Sequence, residues 1–106
     1  RDAINTCANT SDLRAKIIFK QPSKVGNMIN ISAPLVLTNP KGIIIDAKDY
    51  DITIDGNGGQ FPAFVLSDGY NNVFNKIYIK NLAQGVVTFN YNKLTISNSV
   101  FRNLFI

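Results

Sequence analysis

The sequence predicts an all-β fold, a parallel β-solenoid of about three to four coils, and three observations predict it. β-Branched runs are cut at short intervals by Asn, Gly and Asp, the pattern of many short strands joined by tight turns. Residues 63–82 align with residues 85–104 at a constant offset of 22, without a gap. A repeat of that length, with two or three short strands and no helix, cannot enclose a core alone. It buries its apolar face by stacking on the next copy.

The elements follow in chain order. Residues 1–15 form the expected N-terminal cap. A short helix runs from Arg1 to about Asn9, with Ala3, Ile4, Cys7 and Ala8 sharing one face, and a turn follows around Asp12–Ala15. Cys7 on that apolar face reads as a buried, inert thiol. Strands at Lys16–Phe19, Met28–Ile31 and Leu35–Thr38 make a first, irregular coil over residues 16–41. Strands at Gly42–Asp46, Asp51–Asp55, Ala63–Ser67, Lys76–Lys80, Val86–Phe89, Lys93–Ser97 and Val100–Leu104 then build three coils of about 21–22 residues over 42–106.

The offset of 22 sets Ala63-Phe64-Val65 on Gly85-Val86-Val87 and Tyr78-Ile79-Lys80-Asn81-Leu82 on Val100-Phe101-Arg102-Asn103-Leu104. One rung earlier, Gly42-Ile43-Ile44 sits 21 residues before Ala63-Phe64-Val65. A rival register pairs residues 51–56 with 76–81. Successive coils lie ~4.8 Å apart, so equivalent Asn residues stack into an amide ladder, with Asn81 over Asn103 the expected pair. Phe101 over Ile79 is the expected interior stack, and Arg102 over Lys80 the exterior one.

Composition removes several chemistries. The chain has 106 residues, of which 45% are hydrophobic and 17% charged, enough apolar material for the core of one domain. No apolar run approaches the ~20 residues of a membrane span. The single Cys allows no intrachain disulfide, and the absence of His excludes a His-dependent serine triad. Together they exclude a thiolate–imidazole zinc site. Eleven Lys/Arg against seven Asp/Glu give a net charge of +4. The cations are scattered from Arg1 to Arg102 without a run and without an RNA-binding signature, so a solvated basic surface, not a nucleic-acid partner, is expected.

The segments KGIIIDAKDYDITIDGNGG (41–59) and GVVTFNYNKLTISNSVFRNL (85–104) resemble coils of the right-handed parallel β-helix, pectate-lyase-like superfamily. The front, RDAIN (1–5), KIIF (16–19) and NISAPLVLT (30–38), resembles the opening of secreted and cell-surface members, in which a short helix caps the solenoid. The resemblance spans nearly the whole chain, through structural motifs. It implies an extracellular or cell-surface protein. Members include lyases and hydrolases of pectin and other polysaccharides, and also adhesins, autotransporter passengers and phage tail spikes.

Asp46, Asp49, Asp51 and Asp55 are the one acidic cluster, and Asp46, Asp49 and Asp51 are the candidate ligands of a Ca²⁺ ion. The competing account is that turns recruit Asp for local backbone hydrogen bonds. Pectate-type lyases use Asp/Glu-bound Ca²⁺ with an Arg or Lys base. Their RxPxxR motif is absent here, so no catalytic residue is assigned. ITIDGNGG (52–59) resembles the early I-D-G-x-G coil of polygalacturonases, but the NTD, GH and RIK motifs are missing. Asp55 and Asp68 form a conceivable carboxyl pair for glycoside hydrolysis, yet beside Gly56 and Gly69 they read more simply as turn residues.

Tyr50, Tyr70 and Tyr91 recur at intervals of 20 and 21. With Tyr78, Lys80 and Arg102 on an exterior sheet they suit a platform for an acidic glycan; alternatively each Tyr is a half-buried strand or turn residue. The chain stops at Leu104-Phe105-Ile106 within an apolar pattern, where further coils or a second chain are expected to stack. The expected function is an extracellular or cell-surface scaffold that binds polysaccharide or another protein chain and is non-catalytic by itself. The alternative is the N-terminal portion of a polysaccharide lyase or hydrolase.

Overall fold

Every strand pairing among the described residues is parallel, and each joins residues 22 to 29 positions apart. The computed structural model describes residues 15–38, 41–67, 71–89 and 93–104. Within them the chain forms nine strands: β1 (Ala15–Ile18), β2 (Asn27–Asn30), β3 (Leu35–Leu37), β4 (Ile43–Asp46), β5 (Ile52–Ser67), β6 (Asn72–Asn75), β7 (Ile77–Phe89), β8 (Leu94–Ser97) and β9 (Val100–Leu104). No helix is present among the described residues, and so none long and apolar enough to cross a membrane. The expected cap over 1–15, including Cys7, lies almost wholly outside them.

The strands make a parallel β-solenoid of about three turns. One sheet runs β1-β4-β6-β8 and the other β2-β5-β7-β9, with β3 on the far half of β5. Period-2 alternation decides what points inward. In the first sheet Ile45 and Phe74 stack between Ile17 and Ile96. In the second, Ile52 lies on Ile77, and Ile54 on Ile79 on Phe101. Leu35 lies on Phe64 on Val86 along the far half of β5. Ile45, Ile52, Ile54, Phe64, Phe74, Ile77 and Ile79 are all 3% exposed or less. Burying each such side chain is worth about 1.5–3 kcal/mol. The Phe64 and Phe74 rings, with centroids 4.6 Å apart and tilted 43°, bridge the two walls of the core.

The offset of 22 holds where the far half of β7 leaves β5 (Phe64 on Val86) and where β9 leaves β7 (Ile79 on Phe101). The register of 51–56 on 76–81 also holds, because the near half of β5 meets β7 at an offset of 25. Both are true of one strand pair. Register shifts between Asp55 and Gly59, and between Gly59 and Pro62, take the offset from 25 to 22. The expected rung of Gly42-Ile43-Ile44 beneath Ala63-Phe64-Val65 is not formed. β4 carries β6, with Ile44 on Val73 at an offset of 29, and Phe64 rests on Leu35. The second coil is longer because residues 47–51 separate β4 from β5, where Lys76 alone separates β6 from β7.

Strand β6 is absent from the sequence reading because Asn71-Asn72 looks like a turn. Asn72 is instead 2% exposed, and its Oδ1 accepts the Ile43 main-chain N–H at 2.8 Å. The side chain supplies an acceptor where β4 begins, offsetting the cost of burying an amide. Where β7 begins in the other sheet, Ser99 Oγ likewise accepts the Ile77 N–H at 3.0 Å.

Candidate functional site

The outward positions of β2, β5, β7 and β9 line up in two columns. One is Met28, Thr53, Tyr78 and Val100; the other is Asn30, Asp55, Lys80 and Arg102. Rungs ~4.8 Å apart put each side chain directly over its equivalent. Between the columns lies a depression of about 240 Å³, lined by Thr53, Tyr78, Ile79, Lys80, Val100 and Arg102. Tyr78, Lys80 and Arg102 thus share one surface. Thr53 and Val100 belong to it too; strand alternation over residues 52–55 and 100–104 carried that signal once the offsets of 25 and 22 were combined.

Asp55 faces only the nearer of the two cations, Lys80. Its Oδ2 lies 4.0 Å from Lys80 Nζ, and the two side chains are 15% and 25% exposed. Its Oδ1 accepts the Asn57 N–H at 2.7 Å and Asn81 Nδ2 at 3.2 Å. Asn103 Nδ2 then donates to Asn81 Oδ1 at 3.0 Å, so a polar ladder Asp55–Asn81–Asn103 runs along this corner. Asn57, Asn81 and Asn103 have φ of 52°, 61° and 52°, the left-handed region that Asn tolerates better than most residues. Arg102 is exposed and has no ion pair among the described residues.

The three candidate metal ligands do not converge. Asp46 Oδ1 accepts the Lys48 N–H and Asn75 Nδ2, both at 2.9 Å, and its Oδ2 lies 3.7 Å from Lys16 Nζ. Asn75 Oδ1 in turn accepts Asn98 Nδ2 at 3.0 Å, making a second ladder at the opposite corner of the sheet. Asp51 Oδ1 faces Lys76 Nζ at 3.4 Å, and Asp49 is exposed. No group of three His, Cys, Asp or Glu able to hold a metal ion occurs among the described residues.

Tyr50 packs partly buried against the core, at the 47–51 turn, and is not among the residues lining the depression. Tyr70, Tyr91, Asp68, Phe105 and Ile106 lie outside the described residues. Leu104 pairs in register with Leu82 at the end of β9. A second cavity of about 310 Å³ opens in the first coil between Ile17, Phe19, Ile29, Ile31 and Leu35; its lining is mainly apolar.

Comparison with known protein families, curated proteins and solved structures finds no match to this chain.

Proposed function

We propose that the chain is a module of an extracellular or cell-surface β-helix of the pectate-lyase-like kind, whose outer β2-β5-β7-β9 face binds an acidic glycan without cleaving it. The observation that carries this reading is the depression joining Tyr78 to Lys80 and Arg102. A sugar presents an apolar face of C–H groups, which an aromatic ring accepts, and a polar rim, which hydrogen-bonds. Arg102 offers a planar, bidentate donor for a carboxylate. Lys80, already facing Asp55, adds less charge, and the Thr53 hydroxyl adds a donor and acceptor on the same face. Binding is electrostatic and exposed, so it weakens as salt rises.

The test is calorimetric titration with oligogalacturonate against a neutral oligosaccharide of equal length, at low and physiological salt. Acidic ligand alone is expected to bind, with loss in Arg102→Ala and Tyr78→Ala chains that keep their melting temperature. Equal binding of both ligands, or of neither, overturns the glycan reading. Release of unsaturated or reducing sugar ends from polygalacturonate would overturn the non-catalytic part.

A further inference from the structure

Asn57-Gly58 is the single Asn-Gly dipeptide of the chain, and the fold sets it apart from the other described asparagines. It falls within the first register shift of β5, where residues 56–58 have no rung partner on β7. Asn57 and Gly58 are both exposed, with φ of 52° and 80°. A Cβ placed on Gly58 meets nothing within 4 Å, so this stretch of main chain is open to water. The Asn57 main-chain N–H is held by Asp55 Oδ1, while its side-chain amide has no hydrogen-bond partner among the described residues.

Five of the other described asparagines contrast in two ways. Asn75, Asn81, Asn98 and Asn103 commit their amides to the ladders, and Asn72 is buried. Each is also followed by a residue with a side chain, which crowds the approach of the next main-chain nitrogen to the amide carbon.

We propose that Asn57 is a site of spontaneous deamidation with the Gly58 main-chain nitrogen as nucleophile. That nitrogen attacks Asn57 Cγ. The N–Cγ bond forms, the Cγ–Nδ2 bond breaks, and the Gly58 amide proton leaves with Nδ2 as ammonia. Water then adds to one of the two carbonyls of the cyclic imide. Opening on one side yields aspartate; opening on the other yields isoaspartate, in which the main chain passes through the former side chain. No oxidant, reductant or further reactant is consumed. Because the bulge has no rung to keep, the extra main-chain atom of isoaspartate leaves the ladders on either side in place. The product adds a carboxylate two residues from Asp55 and lowers the net charge by one from +4.

The experiment holds the full chain at mildly alkaline pH, folded in buffer and unfolded in urea. Conversion is read at each Asn by peptide mapping and by isoaspartate methyltransferase labelling. In the folded chain, conversion at Asn57 is expected to run ahead of every other asparagine, with a shift to earlier elution on cation exchange and no change in melting temperature. The Asn57→Gln chain, whose longer side chain closes the ring poorly, is expected to keep its elution. Conversion at Asn57 only in urea, or no faster than at Asn72 or Asn103 in the folded chain, overturns the proposal. Should Asn57→Gln melt lower than the parent, the map of the folded parent decides alone.

Discussion

Asn103 reaches back across one rung to Asn81, its Nδ2 donating to Asn81 Oδ1 at 3.0 Å, while Asn81 Nδ2 donates onward to Asp55. Asn81 is therefore the middle of a three-member ladder, and it holds a left-handed main chain at φ 61°. Asn81→Ala removes two hydrogen bonds and places Ala in a conformation it disfavours, a loss of about 2–3 kcal/mol. Asn103→Ala, at the end of the ladder, is expected to cost about half as much. Urea unfolding of the two chains checks the ranking; equal costs would mean the ladder contributes nothing cooperative.

Gly56 is buried where β5 passes over β7. A Cβ there would lie 2.6 Å from Leu82 Cβ and 2.9 Å from the Asn81 carbonyl oxygen. Neither atom is the far end of a flexible side chain, so Gly56→Ala forces the two strands apart at a cost of about 1–3 kcal/mol. Gly85→Ala meets the partly buried Phe101 ring, a side chain and not main chain, and should cost less. Denaturation midpoints of the two variants separate backbone crowding from side-chain crowding.

Lys48 sits at φ 42° with an exposed side chain, at the corner where the next coils place Lys76 and Asn98 at 59° and 54°. Lys48→Asn keeps the main-chain N–H that Asp46 accepts and relieves the left-handed penalty. A gain of about 0.5–1 kcal/mol, seen as a melting temperature higher by a few degrees, is expected. Lys76→Asn gains the same relief but loses the Asp51 contact at 3.4 Å, so its net change lies nearer zero.

Asn72→Leu tests the buried amide. It leaves the Ile43 N–H without its 2.8 Å acceptor inside the core, and about 1–3 kcal/mol of stability goes with it despite the added apolar volume. Hydrogen exchange at Ile43 is expected to lose protection in this variant, a readout that simple loss of packing would not single out.

Asp55→Asn tests the charge arrangement of the outer face. The new amide oxygen still accepts from Asn57 and Asn81, while Lys80 loses its counter-charge. Acidic-glycan binding is expected to tighten by about 2–5-fold. Lys80→Ala is expected to weaken it, because Asp55 is then left facing the ligand uncompensated. Opposite signs for the two variants in the same titration are the outcome to look for.

The last two coils were legible in the chain because their spacing is gapless: Tyr78 and Lys80 fall on Val100 and Arg102 at one offset, and Asn81 falls on Asn103. The second coil was not. Residues 47–51 and the two shifts in β5 absorb extra residues without changing the local alternation of Ile with polar side chains. A pattern of period two reads the same whichever rung lies beneath it. Asn72 hid a strand for a related reason: an Asn pair signals a turn unless something nearby needs its carbonyl, and that need comes from Ile43, a residue 29 positions away.

What the amino-acid sequence determined by itself was the kind of object this is. Short β-branched strands, turn residues between them and a period of 22 leave stacking on the next copy as the only way to bury the apolar face. It also determined that Tyr78, Lys80 and Arg102 point outward together, since alternation and period suffice for that. The tertiary structure alone decided which earlier strands carry the second coil, because ladder partners are chosen by the residues that bulges and turns remove from the count. It alone decided that Asp55 faces Lys80, while Arg102 has no ion pair among the described residues. Charges that share a face differ in what they can bind according to distances of a few ångströms, and spacing along the chain does not carry those distances.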